Sequence, residues 1–247
     1  MKLAAVILAA GKGTRMKSKV PKVLHKICGN SMLSYVLDAV EAAGVELSVV
    51  VAGYGADLVT REVAGRAQVV LQEQQLGTAH ALLQTRSLLQ DFGGQVLVLC
   101  GDTPLIEPAT LVKLVESHRS SGAAATLLTT ELAEPAGYGR VMRDERGHVL
   151  RIVEEKDASP QEKNVHEVNT GIYCFESEGL FEALEKVTPD NAQGEYYLTD
   201  LVEAYRASDK IVGAVRLANP VEATGINDRV QLAEVERVIR ARVIQEI

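Results

Sequence analysis

Apolar and polar positions along the chain alternate between short continuous apolar runs and helical spacings. Leu3 to Ala9 (LAAVILA) is an apolar run that stops at glycines, the pattern of a strand buried on both faces of a parallel sheet. A buried core helix is the competing reading, and the shortness of the run favours the strand. Met32, Leu33, Val36, Leu37 and Val40 then follow helical spacing up to Gly44, and Leu47 to Ala52 is a second apolar run. The rhythm repeats with Val69 to Leu71, a helix over Thr78 to Leu89, and Val96 to Cys100, which ends at Gly101-Asp102. Alternation of this kind predicts right-handed βαβ crossovers, an α/β fold with a doubly wound, mostly parallel sheet, and ligands beyond the carboxyl ends of the strands.

From about Pro135 the rhythm changes. Arg140 to Met142 and Val149 to Val153 flank Asp144-Glu145-Arg146-Gly147, which reads as a hairpin turn, so the second half is expected to mix antiparallel strands with helices. Gly171 to Phe175 and Ile211 to Val215 are two further strand-like runs. Leu232, Val235, Ile239 and Val243 line one face of a charged final helix, which either packs on its own domain or connects to something else. Internal repeats and low-complexity linkers do not stand out, favouring one compact domain.

Composition narrows the partners. With 247 residues, 47% hydrophobic and 24% charged, the chain can bury a substantial core, and its formal charge of -7 gives no long-range attraction for polyanions. Neither a nucleic-acid nor a membrane partner is expected. The three cysteines, Cys28, Cys100 and Cys174, form no CxxC pair and suggest neither a disulfide framework nor zinc, which fits a reducing, cytoplasmic setting. The apolar opening breaks at Gly11, too early for a signal peptide, and no stretch approaches the roughly 20 apolar residues of a membrane-spanning helix.

The most informative segment is Leu8-Ala9-Ala10-Gly11-Lys12-Gly13-Thr14-Arg15-Met16, followed by Pro21-Lys22. Small residues let backbone N–H groups approach a nucleotide or phosphate, and Arg15 and Lys22 supply neutralising charge. It is not a Walker A loop, because Gly13 follows Lys12, nor a dinucleotide fingerprint, because Met16 stands at the third glycine position. Asp102 follows an apolar strand where it can meet phosphates, and Mg²⁺ is commonly held by one or two protein oxygens plus phosphate and water. Gln72 to Ala81 (QEQQLGTAHA) follows a strand and opens a helix, where amides and free N–H groups can read a pyrimidine edge. Glu154 and Asn169 offer acceptors and donors for a hydroxylated ring, and Gly139 permits close backbone approach. Taken singly, a Gly-Lys turn reads equally as a solvated loop, Asp102 as a turn residue, and Glu154 as a solvated charge.

LAAGKGTRM followed by PKVL resembles the signature of the sugar-nucleotide pyrophosphorylases, nucleotidyltransferases with a Rossmann-like nucleotide-diphospho-sugar transferase fold. The resemblance implies that Leu8, Ala9, Ala10 and Gly11 hold base and triphosphate, that Arg15 contacts the leaving pyrophosphate, and that Lys22 binds phosphate. LQEQQLGTAHA, GYGR, IVEEKD, EVNTG and QGEYYLTD are similar, in order and spacing, to the uridylyltransferases of this family that act on N-acetylglucosamine 1-phosphate. Gln72, Gly77 and Thr78 would then contact uridine, and Cys100 and Gly101 would contribute backbone. Gly139, Glu154 and Asn169 would shape the sugar side, and Asp102 with Asn227 would hold Mg²⁺. The resemblance selects Asn227 over the neighbouring Asp228, and a helix N-cap role for Asp228 fits that choice. Ala79 and Cys100 depart from the pattern, standing where a glycine and an aromatic residue are expected.

The implied reaction joins UTP and N-acetylglucosamine 1-phosphate into UDP-N-acetylglucosamine and pyrophosphate, for peptidoglycan and lipopolysaccharide precursors. Bacterial enzymes of this type usually carry a second half, a left-handed β-helix with acetyltransferase activity that forms homotrimers. The expected organisation is a catalytic domain over 1–229 and a helical stub over 230–247 leading to that absent half. Another sugar- or alditol-phosphate nucleotidyltransferase, or a non-catalytic nucleotide-sugar-binding module, is the alternative.

Overall fold

A computed structural model describes residues 2–245. The first half is built as the apolar pattern requires. It runs β1 (Lys2–Ala9), a short hairpin of β2 (Lys26–Ile27) and β3 (Asn30–Ser31), α1 (Met32–Ala42), β4 (Leu47–Ala52), α2 (Ala56–Glu62), β5 (Gln68–Leu71), α3 (Thr78–Leu83), α4 (Arg86–Leu89) and β6 (Gly94–Cys100). The second half adds α5 (Pro108–Ser121), β7 (Ala125–Glu131), β8 (Arg140–Arg143), β9 (Val149–Val153), β10 (Glu167–Glu176), α6 (Leu180–Leu184), α7 (Asp200–Ala207), β11 (Val212–Arg216) and α8 (Arg229–Gln245).

The main sheet has the order β11-β7-β10-β6-β1-β4-β5. β5, β4, β1 and β6 are mutually parallel, β10 runs antiparallel to both β6 and β7, and β11 is parallel to β7. The chain winds from β1 outward through β4 and β5, then returns to place β6 on the other flank of β1. The β1–β6 boundary is therefore a topological switch point, where the loops leaving two neighbouring strands diverge and open a crevice. β1 is buried on both faces, with Ala5 and Ile7 in one core cluster and Ala4 and Val6 in the other. That explains its unbroken apolar sequence. β8 and β9 form the expected hairpin at the end of β10.

Two elements differ from the pattern. The helix expected over Thr78 to Leu89 is broken into α3 and α4, because the fully buried Thr85 turns both its N–H (3.0 Å) and its hydroxyl (2.7 Å) onto the Leu82 carbonyl. The Gly171 to Phe175 strand begins earlier, at Glu167, and its pairing with β7 is interrupted between Asn169 and Tyr173, where Gly171 has φ +77°. Asp228 caps α8, its carboxylate accepting from Val230 N and Gln231 N, each at 2.9 Å. Val235 and Ile239 of α8 are buried with Met16, Ile27, Met32, Leu105 and Ile226, whereas Val243 is exposed. The first part of this helix thus packs on its own domain. Among the described residues no helix is long and apolar enough to cross a membrane.

Candidate active site

The glycine-rich loop leaves β1 at Ala9. Gly13 is left-handed (φ +59°), and a Cβ there would lie 2.6 Å from Lys22 Cβ, so the absence of a side chain lets the Lys22 stem pack against the loop. Met16 anchors the loop in the α8 cluster at 1% exposure, while the Arg229 guanidinium donates to the Met16 carbonyl at 3.1 Å. Arg15, on a single 3₁₀ turn between, remains exposed.

Three of the sequence-derived residues meet at the switch point. The Lys22 ammonium donates to Asp102 Oδ2 and, at 3.1 Å, to Asn227 Oδ1. Backbone hydrogen bonds set this geometry: Gly101 N donates to Leu8 O at 2.9 Å, tying the β6 loop to β1, and Ile226 N donates to Asp102 O at 3.0 Å, tying the Gly225–Asp228 segment to the β6 loop. Asn227 N in turn donates to Gln231 Oε1 at 2.7 Å. The Asp102 and Asn227 oxygens therefore already converge on one cation. Among the described residues no cluster of three or more His, Cys, Asp or Glu side chains forms a metal cage.

Two cavities share Asp102 and Cys100. The first, about 370 Å³, is lined by Leu8, Ala9, Ala10, Gly11, Lys22, Gln72, Gly77, Thr78, Cys100 and Asp102, all of them sequence-derived. Lys12, Val23, Gln75, Ala81 and Glu195 complete its wall. The second, about 230 Å³, joins Arg15 and Asn227 to Cys100 and Asp102, with Tyr138 and Gln231 opposite. Gly101, a sequence-derived residue, is buried and lines neither cavity. A Cβ at Gly11 would meet nothing within 4 Å, leaving its backbone open to a ligand.

The base-side wall is held from across the molecule. Gly77 has φ +118°, and a Cβ there would sit 2.4 Å from the Tyr196 carbonyl oxygen, so only glycine fits. Tyr196 N donates to Leu76 O at 2.8 Å, Ala79 N to Tyr196 O at 2.9 Å, and Leu198 N to Thr78 Oγ1 at 2.9 Å. These bonds give QGEYYLTD a structural function: it staples the Leu76–Ala79 turn.

Gly139, just before β8, Glu154, just after β9, and Asn169 on β10 form a separate group outside both linings. Asn169 N donates to Gly139 O at 2.9 Å, and the Asn169 amide donates to Tyr173 OH at 2.7 Å. Glu154 Oε1 accepts from Thr199 at 3.1 Å, and burial raises its carboxyl above the usual range. Asp200 is pushed up to about 6, first by burial and then by the Glu154 charge. Burial likewise pushes the Cys100 thiol up to about 12, leaving it neutral and unsuited to nucleophilic chemistry. Arg140, 2% exposed, pairs with Glu155 at 2.8 Å and donates to Tyr138 O, fixing the loop that carries Tyr138.

Lys12, Gln75, Tyr138 and Glu195 were not singled out by sequence reasoning, although each lies inside a quoted motif. Their neighbours carried more obvious chemistry, and nothing local distinguishes a lining side chain from an adjacent one.

Fold and site together define a doubly wound α/β domain with a crevice at its switch point lined by Lys12, Arg15 and Lys22. Residues 4–219 match the nucleotidyl transferase family model, and the chain belongs to that family. It is 66% identical, over its full 247 residues, to the bifunctional protein GlmU of Pelotomaculum thermopropionicum, and 51% identical over 242 residues to that of Geobacillus thermodenitrificans. The chain spans about half the length of these relatives, 54% and 53%. A UDP-glucose pyrophosphorylase structure complexed with UDP-glucose is similar in fold, with a TM-score of 0.75 at 19% identity, covering 98% of this chain and 100% of that one.

Proposed function

We propose that this chain transfers UMP from UTP to N-acetylglucosamine 1-phosphate, giving UDP-N-acetylglucosamine and pyrophosphate, in the bacterial cytoplasm for cell-wall precursor synthesis. The observation that carries this reading is the meeting of Lys22, Asp102 and Asn227, 205 positions apart at the extremes, beside the glycine loop. The motifs similar to uridylyltransferases that act on N-acetylglucosamine 1-phosphate, Gln72 to Ala81 and the segments around Glu154 and Asn169, support that sugar.

Asp102 and Asn227 would hold the metal, Mg²⁺, since a carboxylate and an amide oxygen already converge on an ammonium and hard oxygen donors suit that ion. Bound there, the ion would neutralise phosphate charge. The chain's own task is alignment. Leu8 to Gly11 and Gln72, Gly77 and Thr78 seat the nucleotide in the larger cavity, with Cys100 in its wall and Gly101 supporting it from behind through its bond to Leu8 O. Arg15 faces the smaller cavity and receives pyrophosphate, and Lys22 moves from carboxylate to phosphate. Gly139, Glu154 and Asn169 position the sugar. An oxygen of the sugar phosphate forms the new bond to the α-phosphorus as the bond to pyrophosphate breaks; that oxygen is already ionised, so no protein base is needed.

Residues 1–229 would be the catalytic domain and 230–247 the helical connector to a second half that, in longer relatives, would form the homotrimer. Asp102→Asn should reduce pyrophosphate release at least ~100-fold, the scale of removing one transition-state electrostatic group. It should also weaken Mn²⁺ binding followed by electron paramagnetic resonance. Wild-type release and Mn²⁺ affinity in that variant would remove Asp102 from the metal site.

A further inference from the structure

Gln72 is 3% exposed and lines the larger cavity, and the hydrogen-bonding of its amide is almost wholly dictated from inside the protein. Its Nε2 donates to the Gly77 carbonyl at 3.0 Å and lies 2.9 Å from His80 Nδ1. A backbone carbonyl only accepts, so the atom facing Gly77 must be the amide nitrogen, and its second hydrogen points at His80. His80 Nδ1 must then present its lone pair, which leaves the ring proton on Nε2. Gln84 Nε2 lies 3.2 Å from that nitrogen but 2.9 Å from the His80 carbonyl, and a neutral ring has one acceptor only. The shorter contact to Gln72 takes it, and the Gln84 amide serves the carbonyl.

With both its hydrogens bound, Gln72 has only its carbonyl oxygen left, and among the described residues no donor reaches that atom. We propose that His80 is a positioning residue for base specificity: by accepting the second N–H of Gln72, it locks that amide with its oxygen toward the cavity and so selects a base bearing a ring N–H. Uracil carries a donor at N3, whereas cytosine carries a lone pair there, which a fixed carbonyl oxygen repels. His80 itself touches no substrate in this scheme. The inference rests on the larger cavity being the base site.

Dissociation constants of UTP and CTP, measured by titration calorimetry on the whole chain, test it without turnover. The wild type is expected to prefer UTP, and Gln72→Met to lose most of that preference. The thioether of His80→Met is only a weak acceptor and cannot hold the Gln72 amide as the ring does, so this variant should reduce the UTP-over-CTP ratio about 10-fold, the scale of one hydrogen bond of about 1.4 kcal/mol. His80→Gln restores an acceptor and should recover most of the ratio, which a merely space-filling role for the ring would not require. A wild-type ratio in His80→Met, or a ratio in His80→Gln as low as in His80→Met, overturns the proposal while leaving the base site intact. If Gln72→Met binds both nucleotides as the wild type does, the base-site reading itself fails.

Discussion

Replacing Lys22 with methionine separates its two proposed jobs, because the residue neutralises Asp102 before substrate arrives and phosphate afterwards. The Lys22 and Asp102 side chains are 16% and 17% exposed, between the fully buried pairs whose disruption costs about 3–5 kcal/mol and exposed pairs worth under ~1 kcal/mol. Solvent screening at this exposure brings the expected cost of Lys22→Met to about 2 kcal/mol, including the 3.1 Å bond to Asn227. For a domain of this size that is a fall of about 4–8 °C in melting temperature. The loss should be metal-reversible. A divalent ion at ten times its dissociation constant stabilises by about 1.4 kcal/mol and takes the place of the missing ammonium. Differential scanning fluorimetry with EDTA and with increasing Mg²⁺ reads both quantities. The variant should melt well below wild type in EDTA and recover most of the gap in Mg²⁺, while wild type, whose ammonium competes with the ion, gains less. Equal melting temperatures in EDTA, or a gap that Mg²⁺ leaves unchanged, would refute the argument that the Asp102–Asn227 pair is a cation site with Lys22 as its resident charge.

Gly77→Ala drives a Cβ to 2.4 Å from the Tyr196 carbonyl at φ +118°, so the Leu76–Ala79 staple must shift. With strain of ~1–3 kcal/mol and one or two hydrogen bonds lost, UTP affinity by calorimetry should fall at least ~10-fold; unchanged affinity would show that the turn does not shape the nucleotide site. Asp200→Asn tests the raised carboxyl. The folded-state pKa of about 6 lies above the ordinary 3.8, so the stability tied to the neutral acid is complete below about pH 4 and lost as pH rises through 6. After discounting for partial exposure, the neutral variant should gain on the order of 1–2 kcal/mol over wild type at pH 8 and nothing at pH 4 in urea denaturation; a pH-independent difference would contradict the burial argument.

The parallel half of the sheet was legible because burial on both faces favours apolar residues: Leu3 to Ala9 of β1 and Val96 to Cys100 of β6 are continuous apolar runs, although β6 also buries Gln95. β7 was not, because four of the seven residues of ATLLTTE are polar, although Thr126 is buried and bonds His118 Nδ1 at 2.8 Å, and Thr129 bonds Glu167 at 2.8 Å. Side-chain hydrogen bonds of this kind let polar residues enter a core without leaving an apolar trace in the sequence. At the site, Arg15, Lys22 and Asp102 could be chosen from charge type and position after a strand. The pairing of Asp102 with Asn227 came only from the family resemblance and not from charge or spacing, since it depends on the backbone bond from Ile226 that brings distant segments together. The Tyr196–Leu198 staple was not legible either, since its contacts are mainly backbone. The helix break at Thr85 escaped because the apolar spacing continues through it.

Uridylyl transfer is tested most directly by pyrophosphate release, measured for UTP, dTTP, CTP and ATP against a panel of sugar 1-phosphates, in Mg²⁺ and in EDTA. The expected result is Mg²⁺-dependent release that is fastest with UTP and N-acetylglucosamine 1-phosphate and falls to background in EDTA. No release from any pair would contradict the catalytic reading of this site, and a clear preference for another pair would contradict its substrates.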